Sequence, residues 1–116
     1  MAVKRINSSP RMSQASQHGN MVILSGQVSE GQSVAEQARN LFSSIDELLM
    51  KAGTTKSNII YANIFLTDMN DYDAFNSEWD GWIDVEHQQS PSRSAIQVVR
   101  LAKPEWRVEV QVIVGL

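Results

Sequence analysis

The segment Trp106-Arg107-Val108-Glu109-Val110-Gln111-Val112-Ile113-Val114 constrains the fold more than any other part of the chain. Val108, Val110, Val112 and Val114 alternate, so the two-residue period of a strand puts them on one face, with Arg107, Glu109, Gln111 and Ile113 on the other. The valine face requires a core. The opposite face carries a carboxylate in mid-strand. A Pro-containing turn joins this strand to the preceding stretch, Pro91 to Leu101, where Arg93 supplies a fixed cation beside backbone donors. A cation and a carboxylate near each other on a sheet could be a structural ion pair, two solvated side chains, or a site that grips an acid and activates water.

The 116 residues have the length of a single domain spanning 1–116, enough to bury roughly two-thirds of the unfolded surface. A net charge of −3 with no basic run argues against a nucleic-acid groove, because such binding needs clustered Lys and Arg. The absence of cysteine excludes disulfides, thiolate catalysis and cysteine-based metal sites. His18 and His87 lie far apart and lack ligand spacing, so no metal site is expected. No run approaches the roughly 20 apolar residues of a membrane span, and the first residues lack a signal-peptide core, which makes the cytoplasm the expected compartment.

Read in order, Val3 to Ile6 suits a short edge strand, followed by a polar stretch from Arg11 to a tight turn at Gly19-Asn20. Met21 to Ser25 is a strand, and Gly26 directly after it invites a close backbone approach. Ser33-Val34-Ala35-Glu36 is a capping-box pattern that opens a helix with an apolar stripe through Ala52, and Gly53 is placed to end it. Asn58 to Thr67 is a strand with apolar residues on both parities, which hints at subunit packing on a second face. Asp68-Met69-Asn70-Asp71 caps a second helix reaching about Val85, with Tyr72, Phe75, Trp79, Trp82 and Ile83 as a core stripe. Asn76 flanks that stripe, where its amide could reach a loop, a substrate or a neighbouring subunit. The expected order is therefore strand, strand, helix, strand, helix, strand, strand: an α+β fold with both helices on one face of a mixed sheet.

Taken together, Gly19 to Val28, Gln37-Ala38-Arg39, Asp68 to Tyr72 leading to Asn76, Pro91-Ser92-Arg93-Ser94 and Val108-Glu109-Val110 make the chain resemble the Rid family, the YjgF-like reactive intermediate deaminases. The resemblance covers nearly the whole sequence. It implies a chorismate-mutase-like fold and a homotrimer with a central β-barrel and three inter-subunit clefts. It also implies hydrolysis of 2-imino acids or their enamine tautomers, such as 2-iminopropanoate and 2-iminobutanoate, to 2-keto acids and ammonia without a cofactor. Matched to the family pattern, Arg93 holds the substrate carboxylate, for which a guanidinium offers two parallel donors. Glu109 matches the acidic residue that activates water. Ser25, Gly26 and Asn76 match positions lining the cleft, and Ala95 one that contributes a backbone group.

The chain departs from the family pattern at Met12, where members nearest the archetypal enzyme carry a cleft tyrosine, and at Val99 and Val110. These differences imply a divergent branch. They motivate an alternative, a non-catalytic carboxylate-binding or regulatory protein using the same cleft. A ribonuclease activity attributed to some relatives fits poorly with the acidic balance.

Overall fold

The computed structural model describes residues 2–116. The elements are β1 (Lys4–Ser8), β2 (Ser13–His18), β3 (Met21–Leu24), α1 (Val34–Ala52), β4 (Ile59–Leu66), α2 (Tyr72–Trp82), β5 (Ser92–Gln97) and β6 (Val108–Gly115). The six strands form one sheet in the order β1-β2-β3-β6-β4-β5, antiparallel except for the β4/β5 pair. Both helices cover the same face, where Phe42 of α1 stacks on Trp82 of α2 with centroids 4.3 Å apart. Such a ring pair adds about 0.5–1.5 kcal/mol beyond the apolar area it buries.

The alternating valines of β6 are all fully buried beneath these helices, together with Val22, Leu24, Ala62, Ile64 and Leu66. Helix α1 begins where the sequence places it: the Ser33 hydroxyl accepts from the Glu36 N–H at 3.1 Å, a cap worth about 1 kcal/mol. It ends at Gly53, whose φ of 81° lets its N–H turn back to the last carbonyls.

Four local expectations are corrected. The polar stretch after Arg11 contains a strand, β2, whose single apolar anchor is Ala15 (1% exposed), paired between Ile6 and Leu24. Backbone ladders on both sides hold it, so it needs no apolar alternation of its own. The two-residue turn after it puts Gly19 at φ 59°, which a two-residue hairpin loop requires. In β4 a bulge between Ile59 and Tyr61 shifts the parity, burying Ile59 and exposing Ile60, the reverse of strict alternation. Helix α2 stops at Trp82, and β5 at Gln97, short of the sequence-based ends.

Among the described residues the other sheet face carries no helix. Exposed Met21 and Ile23, half-buried Phe65 and Ile113, and exposed Ile96 lie across it, interleaved with Asn63, Glu109 and Gln111. No helix among the described residues is long and apolar enough to cross a membrane.

Candidate active site

Glu109 stands on the bare face of β6, beside Phe65 in the register of β4. It lines an open depression of about 740 Å³ with Met12, Ser25, Gly26, Phe65 and Gln111. The segment after β3 is pinned against β6 by a two-way bridge: Gln27 N–H donates to Val110 O (2.8 Å) and Val110 N–H to Gln27 O (3.1 Å). That bridge brings Gly26 against the carboxylate. A Cβ added to Gly26 would stand 2.6 Å from Glu109 Cδ, so only glycine leaves the carboxylate its present position. The close approach expected at Gly26 is thus made by a side chain of the same protein.

The Glu109 carboxylate has no hydrogen-bond or ion-pair partner among the described residues. Partial burial with nothing to offset it holds the Glu109 carboxyl above the usual carboxylate range. Ser25 is anchored instead: its hydroxyl donates to Ser13 O at 2.7 Å and its N–H to Gln14 O at 2.9 Å. Met12 presents an exposed thioether at the rim.

Arg93 occupies the opposite side of the sheet. Its register partner in β4 is Ala62, which in turn faces Val112, and both are fully buried on the helix side. Helix α2 receives the guanidinium. Nη2 donates to Asn76 Oδ1 at 2.7 Å and to the Tyr72 hydroxyl at 3.2 Å, while Cζ lies 5.0 Å from the centroid of the Trp79 ring. Nη1 is buried without a hydrogen-bond partner among the described residues. Unpaired buried donors are uncommon, because each forfeits its hydration.

β5 is an edge strand. The Val98 N–H donates to Leu66 O, so by the alternation of a parallel ladder the N–H groups of Arg93 and Ala95 project from the open edge. Of the residues singled out from sequence, the fold gathers Met12, Ser25, Gly26 and Glu109 on one side, and Arg93, Asn76 and Ala95 on the other. Within one chain Arg93 and Glu109 do not form an ion pair. The cation nearest in sequence to Glu109, Arg107, is taken by the nine-tenths-buried Asp71 through two bonds of 2.7 and 3.1 Å.

Residues 2–116 match the family model described as Endoribonuclease L-PSP. The chain belongs to the Rid/YjgF family. A RutC family protein of Haemophilus influenzae is 43% identical over 116 residues, with 97% of each chain covered. The RutC family protein YoaB of Escherichia coli is 34% identical over the full length of both. Among solved structures, a YjgF family member from Neisseria meningitidis superposes with a TM-score of 0.94 at 34% identity, covering 99% of this chain and 95% of that one. The mixed sheet with two helices on one face is the Rid/YjgF fold. A more distant relative, 28% identical over 102 residues and covering 82% of this chain and 79% of its own, is the 2-iminobutanoate/2-iminopropanoate deaminase of Escherichia coli.

Some of this Rid/YjgF chain's contacts escape the sequence-based reading. Tyr72 and Trp79 read as core aromatics, and Trp79 is core at 3% exposure, yet its ring also lies against Arg93. A signal was present: Tyr72, Asn76 and Trp79 are four and three residues apart, a single helix face. The Gln27 side chain, buried and donating to Gln14 Oε1 and Ser25 O, had no such signal, because its role depends on a non-local bridge.

Proposed function

We propose that the protein hydrolyses 2-imino acids, or their enamine tautomers, to 2-keto acids and ammonia. The site is a cleft between two copies in a trimer, with Arg93 from one copy and Glu109 from its neighbour. The observation that carries this reading is a pair of complementary charges with unmet partners among the described residues: Arg93 Nη1, buried without an acceptor, and the Glu109 carboxylate, partly desolvated and without a protein donor. Unpaired desolvated ionisable groups beside a concavity are the features expected of a reactive site. Their separation on opposite faces of one sheet calls for a second copy to bring them together. The apolar residues on the bare face give such a copy something to bury.

In this mechanism the substrate carboxylate meets Arg93 and the outward N–H groups of β5. The protonated imine carbon faces water held by Glu109. Glu109 takes one proton as the water oxygen bonds to the imine carbon, giving a tetrahedral carbinolamine. It returns that proton to nitrogen, the C–N bond breaks to release ammonia, and Glu109 takes the proton of the remaining hydroxyl as the carbonyl forms and passes it to the ammonia, leaving a keto acid and ammonium. Positioning and one base suffice because the protonated imine is already electrophilic. The named deaminase of Escherichia coli supports the reaction class.

The test is keto-acid formation from freshly generated 2-iminobutanoate. Wild type is expected to accelerate it, and Arg93→Ala and Glu109→Gln to lower kcat/KM by at least about 100-fold, the usual scale for losing a general base. Wild-type turnover that survives Arg93→Ala sinks the mechanism. Met12, apolar at the rim, motivates the second reading of a carboxylate binder; saturable keto-acid binding with no turnover by wild type would select it.

A further inference from the structure

We propose that Arg5 and Arg11, on the first hairpin, form a second anion subsite beside the Glu109 depression, and that the substrate is a 2-imino acid carrying a side-chain carboxylate. This rests on the proposed reading of that depression as the substrate site and names the class of substrate it takes. In the sheet register Arg5 pairs with Ser16, Ser16 with Ile23 and Ile23 with Ile113. The neighbouring row, Ile6, Ala15 and Leu24, is buried beneath the helices. Alternation therefore puts Arg5 and Ser16 on the bare face, the face that carries Glu109. Arg11 comes from the turn between β1 and β2, where Pro10 precedes it and the Ser9 N–H and hydroxyl both donate to Met12 O, at 2.8 and 2.9 Å.

Arg5 and Arg11 line an open hollow of about 440 Å³ together with Ser9, Ser13, Ser16 and Ser25. Met12, Ser16 and Ser25 also line the Glu109 depression, so the two hollows are continuous. Acidic residues outnumber basic ones in the chain, 13 to 10, yet among the described residues none lines this hollow. Neither arginine pairs with a carboxylate among the described residues. Arg5 Nη1 donates to Ser16 Oγ at 2.8 Å, which ties the guanidinium to the wall and leaves the Ser16 hydroxyl hydrogen without an acceptor among the described residues. Two unpaired guanidiniums and a hydroxyl donor suit an anion. A concavity lined by one sign of charge also concentrates ligands of the other sign. A ligand whose reacting carbon faces Glu109 would place its side chain along Met12, where methylenes find an apolar surface, and end it at the arginines.

Calorimetric titration with two keto acids tests this: 2-oxoglutarate, which carries the side-chain carboxylate, and 2-oxohexanoate, of similar length with an apolar end. Wild type is expected to bind 2-oxoglutarate at least about tenfold more tightly, in keeping with one hydrogen bond to a charged group. In the Arg5→Gln/Arg11→Gln double variant that ratio is expected to fall at least about tenfold. A wild type without the preference, or a double variant that keeps it, overturns the subsite. Equal weakening of both ligands in the double variant also overturns it, since the arginines then act on the shared part of the ligand or on the assembly. Wild type that binds neither keto acid overturns it too. Turnover of 2-iminobutanoate by wild type, measured alongside, decides the main reading separately: turnover without the preference leaves the deaminase standing and removes only the second subsite.

Discussion

On the helix-covered face Arg93 is held by three side chains of α2, whereas on the bare face Glu109 is held by none. The two charges flank β4 on opposite faces of one sheet and belong to different physical regimes. Arg93 is fixed by the same packing that stabilises the chain, because Trp79 is at once a core ring and the surface beneath the guanidinium. Glu109 is shaped by a backbone approach at Gly26 and by a desolvating rim, and its remaining surroundings depend on what covers the face. The anchor is complete within the fold; on the proposed reading the base is completed by assembly.

That contrast predicts unequal costs. Trp79→Ala removes a large buried ring that also touches Phe42, Phe75 and Trp82, and is expected to destabilise by about 3–5 kcal/mol in urea unfolding. An effect under about 1 kcal/mol would mean that Arg93 is not built on the core. Gly26→Ala acts on the other face. The new methyl displaces the Glu109 carboxylate, and kcat/KM in imine hydrolysis is expected to fall about 100-fold, the scale of an ångström misplacement. Its unfolding free energy should change far less than that of Trp79→Ala. Equal stability losses for the two variants would erase the distinction between the faces.

The same contrast explains how much of the molecule is legible in sequence. The valine period of β6 and the cap and stripe of α1 are local patterns, and the structure reproduces them. β2 is not local: Ser13-Gln14-Ala15-Ser16-Gln17-His18 is a strand because β1 and β3 flank it. The parity of β4 fails at its bulge for a related reason, since register there is set by β6 rather than by β4 itself. In the site, residue types suggested chemistry, but the faces they occupy follow from the register of β5 and β6 against β4. Arg93 and Glu109 could be assigned to opposite faces only once Ala62 and Phe65 were known to be their partners.

The smallest expected effect probes Glu109 most directly. Its folded-state pKa is raised by burial, so the fold favours the protonated form. The associated stability is present below the unfolded pKa and lost as pH rises through the folded pKa. At neutral pH the ionised carboxylate therefore costs stability, and Glu109→Gln, neutral at every pH, is expected to raise the thermal midpoint by about 1–3 °C. The gain should shrink towards zero as pH falls through the carboxylate range. The acid limb of the wild-type kcat/KM profile should inflect above the ordinary glutamate value for the same reason. The opposite sign, a midpoint lowered by Glu109→Gln at neutral pH, would mean that the carboxylate gains a cationic partner in solution. With Arg107 committed to Asp71 in the same chain, that partner would have to come from a neighbouring copy. A further loss of the midpoint difference in Arg93→Ala would then identify the cation, and the bare face would no longer be the unpaired one.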